Sequence, residues 1–144
     1  MILRNEDETA GAGAALARVV RPGDVITLSG PLGVGKTALA RGFIEALGHE
    51  SDVPSPSFAI VQPYDDLDPP VWHVDLYRIE SASEIDELGL DAAADAVLLV
   101  EWPDRAGSAA WPDALALSLD FAPDGDRILT AKTPPSWEGR WPLR

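Results

Sequence analysis

Gly30, Pro31, Leu32, Gly33, Val34, Gly35, Lys36 and Thr37 satisfy the pattern G-x-x-x-x-G-K-[ST], whose residue types suit the binding of nucleoside triphosphates. Glycines let backbone N–H groups turn inward, and these donors act with the positive end of the following helix dipole on phosphate oxygens. Lys36 neutralises β- and γ-phosphate charge, and the Thr37 hydroxyl is a ligand type for Mg²⁺. Gly33, Val34, Gly35, Lys36 and Thr37, with Ala38 in the first helical turn, are therefore assigned to ATP.

Such a loop needs a carboxylate at the end of a neighbouring buried strand, to hold the metal and help place the attacking water. Glu101 fits, because Val97 to Val100 carry it to a strand's C-terminal edge; the alternative is an ordinary strand-end glutamate. Asp75, after Val71, Trp72, His73 and Val74, is the second candidate, or else a structural partner for Arg78. Trp102 either contacts nucleotide or closes the core. His73 reads as a packed or hydrogen-bonded histidine, since the other histidine, His49, lies in a turn, and no histidine-based metal site is supported. Arg41, Arg78 and Arg105 are candidate stabilisers of phosphate charge, with none preferred. The absence of Asn-Lys-x-Asp argues against a guanine-specific GTPase.

The elements that must position these groups are readable in outline. Val25 to Leu28 form a short apolar run between Gly23 and Gly30, as in a strand buried on both faces of a parallel sheet. Leu39, Phe43 and Leu47 recur every four residues beside Ala40 and Ile44, and Gly48 suits the end of that helix. A first helix is expected over Thr9 to Val20, stopped by Arg21, Pro22 and Gly23. Phe58 to Val61 and Val71 to Leu76 read as two strands, antiparallel because the turn Asp65 to Pro70 is short. Ser83 with Asp86 and Glu87 opens a short helix, and Ala96 to Val100 is a second fully apolar strand. Leu115, Leu117, Leu119 and Phe121 alternate, as do Ile128 and Thr130, which predicts a hairpin across Pro123 to Asp126.

With 144 residues and 46% hydrophobic content, the chain suits one domain spanning 1–144, with a loosely ordered tail from about residue 134. No run approaches the ~20 apolar residues of a membrane helix, and the beginning of the sequence turns acidic where a signal peptide would turn apolar, so a cytoplasmic location is expected. The absence of cysteine excludes disulfide-linked partners, thiolate chemistry and Cys-based zinc sites. A net charge of -13 disfavours direct nucleic-acid binding by this chain alone; it serves solubility or faces a basic partner.

Four segments in order, GPLGVGKT, VPSPSFAIVQPY, HVDLYR and EWPDR, resemble the bacterial tRNA threonylcarbamoyladenosine biosynthesis ATPase family TsaE, also called YjeE. The resemblance runs from about Thr9 to Asp104. It implies an α/β P-loop NTPase fold: a mainly parallel central sheet with flanking antiparallel strands and helices on both faces. It further implies ATP and Mg²⁺ as cofactors, slow hydrolysis by the free protein, and work in a complex with TsaD and TsaB. TsaD, with TsaB, would transfer the threonylcarbamoyl group to adenosine 37 of tRNAs reading codons that begin with A, and tRNA would be met only through the complex.

By the same resemblance, Thr37 and Glu101 are the Mg²⁺ ligands, Thr9 lies near the nucleotide base, and Asp75 matters for hydrolysis by placing water or touching metal, beside Lys36 and Glu101. Ser55, Pro56, Ser57 and Phe58 resemble a switch-like loop over the phosphates. Pro31 departs from the acidic residue usual there, which phosphate binding does not need but a partner contact would lose. Two other readings compete. One is a nucleotide-gated binding module; the other is a small-molecule kinase, for which the short segments between Thr37 and Glu101 leave little room.

Overall fold

The computed structural model describes residues 1–50, 53, 60–90, 95–107 and 110–142. In chain order the elements are β1 (Ile2–Leu3), α1 (Glu6–Ala17), β2 (Val25–Ser29), α2 (Lys36–Ala46), β3 (Val61–Tyr64), β4 (Val71–Asp75), α3 (Ala82–Asp86), β5 (Val97–Glu101), β6 (Leu115–Phe121) and β7 (Arg127–Lys132), with 3₁₀ turns at Pro103–Ala106 and Pro135–Trp137. The seven strands among the described residues form one sheet in the order β1-β7-β6-β2-β5-β4-β3. The four central strands, β6, β2, β5 and β4, are mutually parallel, while β3, β7 and β1 add antiparallel edges. A mainly parallel centre with antiparallel flanks is the arrangement expected from the sequence.

The continuous apolar run of β5 follows from its central place. Val97 and Leu99 join the core beneath α1 and α2, with Leu16, Leu28, Leu39, Phe43, Ile44 and Leu117. Leu98 and Val100 face a second core with Val74, Leu76 and Ile79, closed by Ile85 and Leu88 near α3 and by Trp102. Both faces must therefore be apolar. Among the described residues the second face carries a five-residue helix and a 3₁₀ turn.

Element boundaries moved where local hydrogen bonding overrode the hydrophobic period. Helix α1 begins at Glu6 rather than near Thr9, because the Asn5 side chain accepts from the Glu8 N–H at 2.8 Å and Glu8 accepts from the Arg4 N–H at 3.0 Å. Glu6, Asp7 and Glu8 then sit at the positive end of the helix dipole. Helix α3 starts one residue before Ser83, from a capping box made by Ser81 and Glu84. Of the strand expected over Phe58 to Val61, Phe58 and Ala59 lie outside the described residues; Ile60 takes a left-handed conformation (φ 64°), so pairing begins at Val61. The two-residue strand β1, which nothing in the sequence marked, pairs Ile2 with Ile128 and Leu3 with Arg127.

The tail differs from the loosely ordered segment expected from residue 134. Trp137 is only 1% exposed and belongs to the main core. Arg140 stacks on its ring and makes a two-pronged contact with Asp24, Nη1–Oδ2 2.8 Å and Nη2–Oδ1 3.1 Å, while donating to the Val19 carbonyl. The tail thereby ties itself to the end of the first helix and the start of β2, a long-range contact invisible to local patterning.

Candidate functional site

Strand β2 ends at Ser29, and the glycine-rich loop from Gly30 to Gly35 rises from it at the C-terminal edge of the parallel strands, the place where open α/β sheets bind ligands. Gly35 caps α2 in a left-handed conformation (φ 113°) that a side chain would strain, and Lys36 begins the helix. In the neighbouring strands Leu28 lies level with Glu101, and Glu101 level with Asp75. Register alone thus brings the two acidic strand ends beside the loop.

Leu32, Gly33, Gly35, Lys36, Thr37, Ala38, Asp75, Tyr77, Glu101 and Trp102 line one cleft of about 300 Å³. Thr37 Oγ1 stands 3.4 Å from each carboxylate oxygen of Glu101. Glu101 Oε2 also meets His73 Nε2 at 2.7 Å, with both side chains buried. Lys36 donates to the Gly30 carbonyl and lies 3.6 Å from the centre of the Trp102 ring. Burial lowers its pKa from the ordinary lysine value, against the opposing pull of Glu101, Asp75 and Asp104. Asp75 accepts a hydrogen bond from the Tyr77 N–H at 2.9 Å. Burial raises its pKa above the usual carboxylate value; that bond opposes the rise, the Glu101 charge adds to it, and His73 and Lys36 oppose it.

Trp102 owes its position to a sharp exit from β5. It takes a left-handed conformation (φ 59°, ψ 52°), its N–H bonds to the Leu28 carbonyl at 3.2 Å, and its ring tilts against Tyr77 at 4.8 Å. For a residue with a side chain this conformation costs about 1–3 kcal/mol, which the lysine–aromatic and aromatic–aromatic contacts help offset.

Thr9 lies on the other side of the loop. It lines an adjoining cleft of about 380 Å³ with Asn5, Gly33, Val34, Gly35, Ala38 and Arg127. The two clefts share Gly33, Gly35 and Ala38, so the loop forms the wall between them. All the residues assigned from sequence to nucleotide, metal or catalysis border one cleft or the other. Ser55, Pro56, Ser57 and Phe58, the expected switch-like loop, lie outside the described residues. Arg105 stacks over Tyr77 at 5.6 Å on the rim of the first cleft, whereas Arg41 is tied to Glu6 in an exposed pair. Among the described residues no group of three or more His, Cys, Asp and Glu side chains is gathered to hold a metal.

The sequence pattern described as "Threonylcarbamoyl adenosine biosynthesis protein TsaE" matches residues 3–129. The chain belongs to the TsaE family. It is 39% identical over 128 residues to a tRNA threonylcarbamoyladenosine biosynthesis protein TsaE of Bacillus subtilis, covering 88% of this chain and 80% of that protein. A Streptomyces coelicolor protein of the same name is 41% identical over 114 residues, covering 76% of this chain and 77% of its own length. The crystal structure of Bacillus subtilis YdiB superimposes with a TM-score of 0.80 at 32% identity, over 94% of this chain and 85% of that one. No helix among the described residues is long and apolar enough to cross a membrane.

Two neighbours of the site in this TsaE chain are assigned no role by the sequence: Tyr77 shares the first cleft, and Arg127 donates from Nε to the Val34 carbonyl at 3.0 Å. His73, expected as a packed or hydrogen-bonded histidine, is buried and hydrogen-bonded to Glu101. Tyr77 was within reach, inside the Asp-Leu-Tyr-Arg segment two residues after Asp75. Arg127 carried no local signal, because it arrives on the far strand of a hairpin.

The buried Asp75 carboxyl gives one direct prediction. Because its folded pKa is raised, its stabilising contribution is complete below the unfolded value of about 4 and is lost as pH rises through the folded value. Asp75→Asn keeps an acceptor for the Tyr77 N–H and removes the charge. The variant is expected to melt at least ~2 °C above wild type at neutral pH, the gain fading towards pH ~4. Thermal unfolding across pH 4–8 checks it; a variant less stable than wild type at pH 7 would contradict the burial argument.

Proposed function

We propose that this chain is the ATP-binding and hydrolysing subunit that supports formation of the threonylcarbamoyl group on adenosine 37 of tRNAs reading codons beginning with A, acting with TsaD and TsaB counterparts. The observation that carries this reading is the convergence of Lys36, Thr37, Asp75 and Glu101 on one cleft at the N-terminus of α2. The sheet order, the loop after β2 and the glycine cap of α2 support a P-loop NTPase fold.

Lys36 would meet the β- and γ-phosphates, and the backbone N–H groups from Gly33 to Ala38 would enclose them. Thr37 and Glu101 face each other as a hydroxyl and a carboxylate, hard oxygen donors that fit Mg²⁺. When bound, that ion would neutralise charge on the transferring phosphoryl group. Asp75, whose burial strengthens its hold on a proton, suits the ordering of the attacking water. Thr9 and the second cleft would take the base end of the nucleotide. The net charge of -13 agrees with RNA contacts residing on partner proteins, and a role in tRNA modification would suit a cytoplasmic location.

ATP hydrolysis with Mg²⁺, measured alone and with purified TsaB and TsaD counterparts while threonylcarbamoyladenosine is scored in tRNA, tests the assignment. Low basal turnover that rises with both partners, together with modified tRNA, is expected. Unchanged turnover and unmodified tRNA would refute it. Glu101→Ala should abolish both turnover and modification; if modification survives, nucleotide occupancy rather than hydrolysis is the working event.

A further inference from the structure

Among the described residues the Glu101 carboxylate has one short contact. The Thr37 hydroxyl, at 3.4 Å from either carboxylate oxygen, lies well beyond the ~2.7–2.8 Å typical of an O–H···O bond. Lys36 is engaged with the Gly30 carbonyl and the Trp102 ring. His73, by contrast, lies fully buried on β4 with Nε2 2.7 Å from Glu101 Oε2. A carboxylate only accepts, so Nε2 carries the proton. Its other ring nitrogen, Nδ1, has no hydrogen-bond partner among the described residues. An unsatisfied buried nitrogen costs about 1–3 kcal/mol, which an apolar side chain would avoid. Packing alone therefore does not account for a histidine here.

We propose that His73 is a positioning residue for the metal-binding edge of Glu101: its Nε2–H fixes Oε2, so the carboxylate stays open towards Thr37 Oγ1 across a gap sized for a divalent cation. Cis ligands of an octahedral Mg²⁺ with bonds of ~2.1 Å stand about 3 Å apart, close to the 3.4 Å separation between Thr37 Oγ1 and each carboxylate oxygen. This inference rests on the metal–nucleotide reading above. Outer hydrogen bonds of this kind tune affinity for metal without contacting it.

The test uses Mn²⁺ as a spin probe, titrated by electron paramagnetic resonance into the full chain with ADP, beside ADP affinity in EDTA by calorimetry. His73→Leu is expected to weaken Mn²⁺ binding about tenfold or more, with metal-free ADP affinity unchanged within about twofold. His73→Gln, which returns an N–H donor near the Nε2 position, is expected to restore most of the loss. Nitrogen NMR of the wild-type ring gives a readout needing no variant and should show Nε2 protonated. Mn²⁺ affinity unchanged in His73→Leu, an equal loss of metal-free ADP binding, no recovery in His73→Gln, or a wild-type ring without a proton on Nε2 would each overturn the proposal. Wild type that takes up no Mn²⁺ with ADP would overturn the metal–nucleotide reading itself, before any substitution is made.

Discussion

Lys36→Met is expected to lower ATP affinity about 100-fold or more, because it removes charge-assisted bonds worth ~1.5–3 kcal/mol each, and to take hydrolysis below detection. The fold should survive. The methionine retains an unbranched apolar stem against Trp102, and the lost contacts with the Trp102 ring and the Gly30 carbonyl are set against release of a desolvated ammonium. Its melting temperature is expected within a few degrees of wild type, so the loss of binding reports the missing charge rather than a broken domain. Calorimetric titration with ATP and a thermal melt on the same preparation check this; ATP affinity within tenfold of wild type would remove Lys36 from the phosphate site.

Lys36 was legible because everything that defines it is local: the loop, its glycines and the helix that follows are contiguous. Glu101 was legible for a related reason, since a strand apolar on both faces marks a central position and the first charged residue after it falls at the sheet edge. Pairings across the sheet were less accessible. That His73 meets Glu101 depends on the side-chain alternation and register of β4 and β5, residues 28 apart in sequence. Arg127 reaches Val34 across 93 residues. Phe121 shows where a period misleads: it continues the alternation of Leu115, Leu117 and Leu119, yet it is half exposed and carries the Arg127 guanidinium on its ring at 4.4 Å. Trp137 is the reverse case, a core residue in a segment whose prolines and charges read as a tail.

The glycines of the two long helices separate packing from propensity most sharply. In an isolated helix, alanine in place of glycine is favourable by about 1 kcal/mol. Gly11 fits that rule, since a Cβ there would meet nothing within 4 Å, and Gly11→Ala is expected to raise stability by roughly 0.5–1 kcal/mol. Gly13 and Gly42 are different, because α1 and α2 approach backbone to backbone: a Cβ on Gly13 would stand 2.1 Å from the Leu39 carbonyl oxygen, and one on Gly42 2.1 Å from that of Ala10. Neither obstacle is a side chain that can swing aside, so the helices must separate. Gly42→Ala is expected to cost about 3 kcal/mol and lower the melting temperature by ~10 °C. Separation also reaches the site, since Thr9 sits on α1 with its methyl 3.6 Å from the Cβ position of Gly35, and the cleft between Thr9 and the loop would widen. ATP affinity should therefore fall in Gly42→Ala below the melting transition and stay unchanged in Gly11→Ala. Thermal melts and nucleotide titrations of the two variants side by side decide it, and equal stability in both would show that the helices yield where their backbones meet.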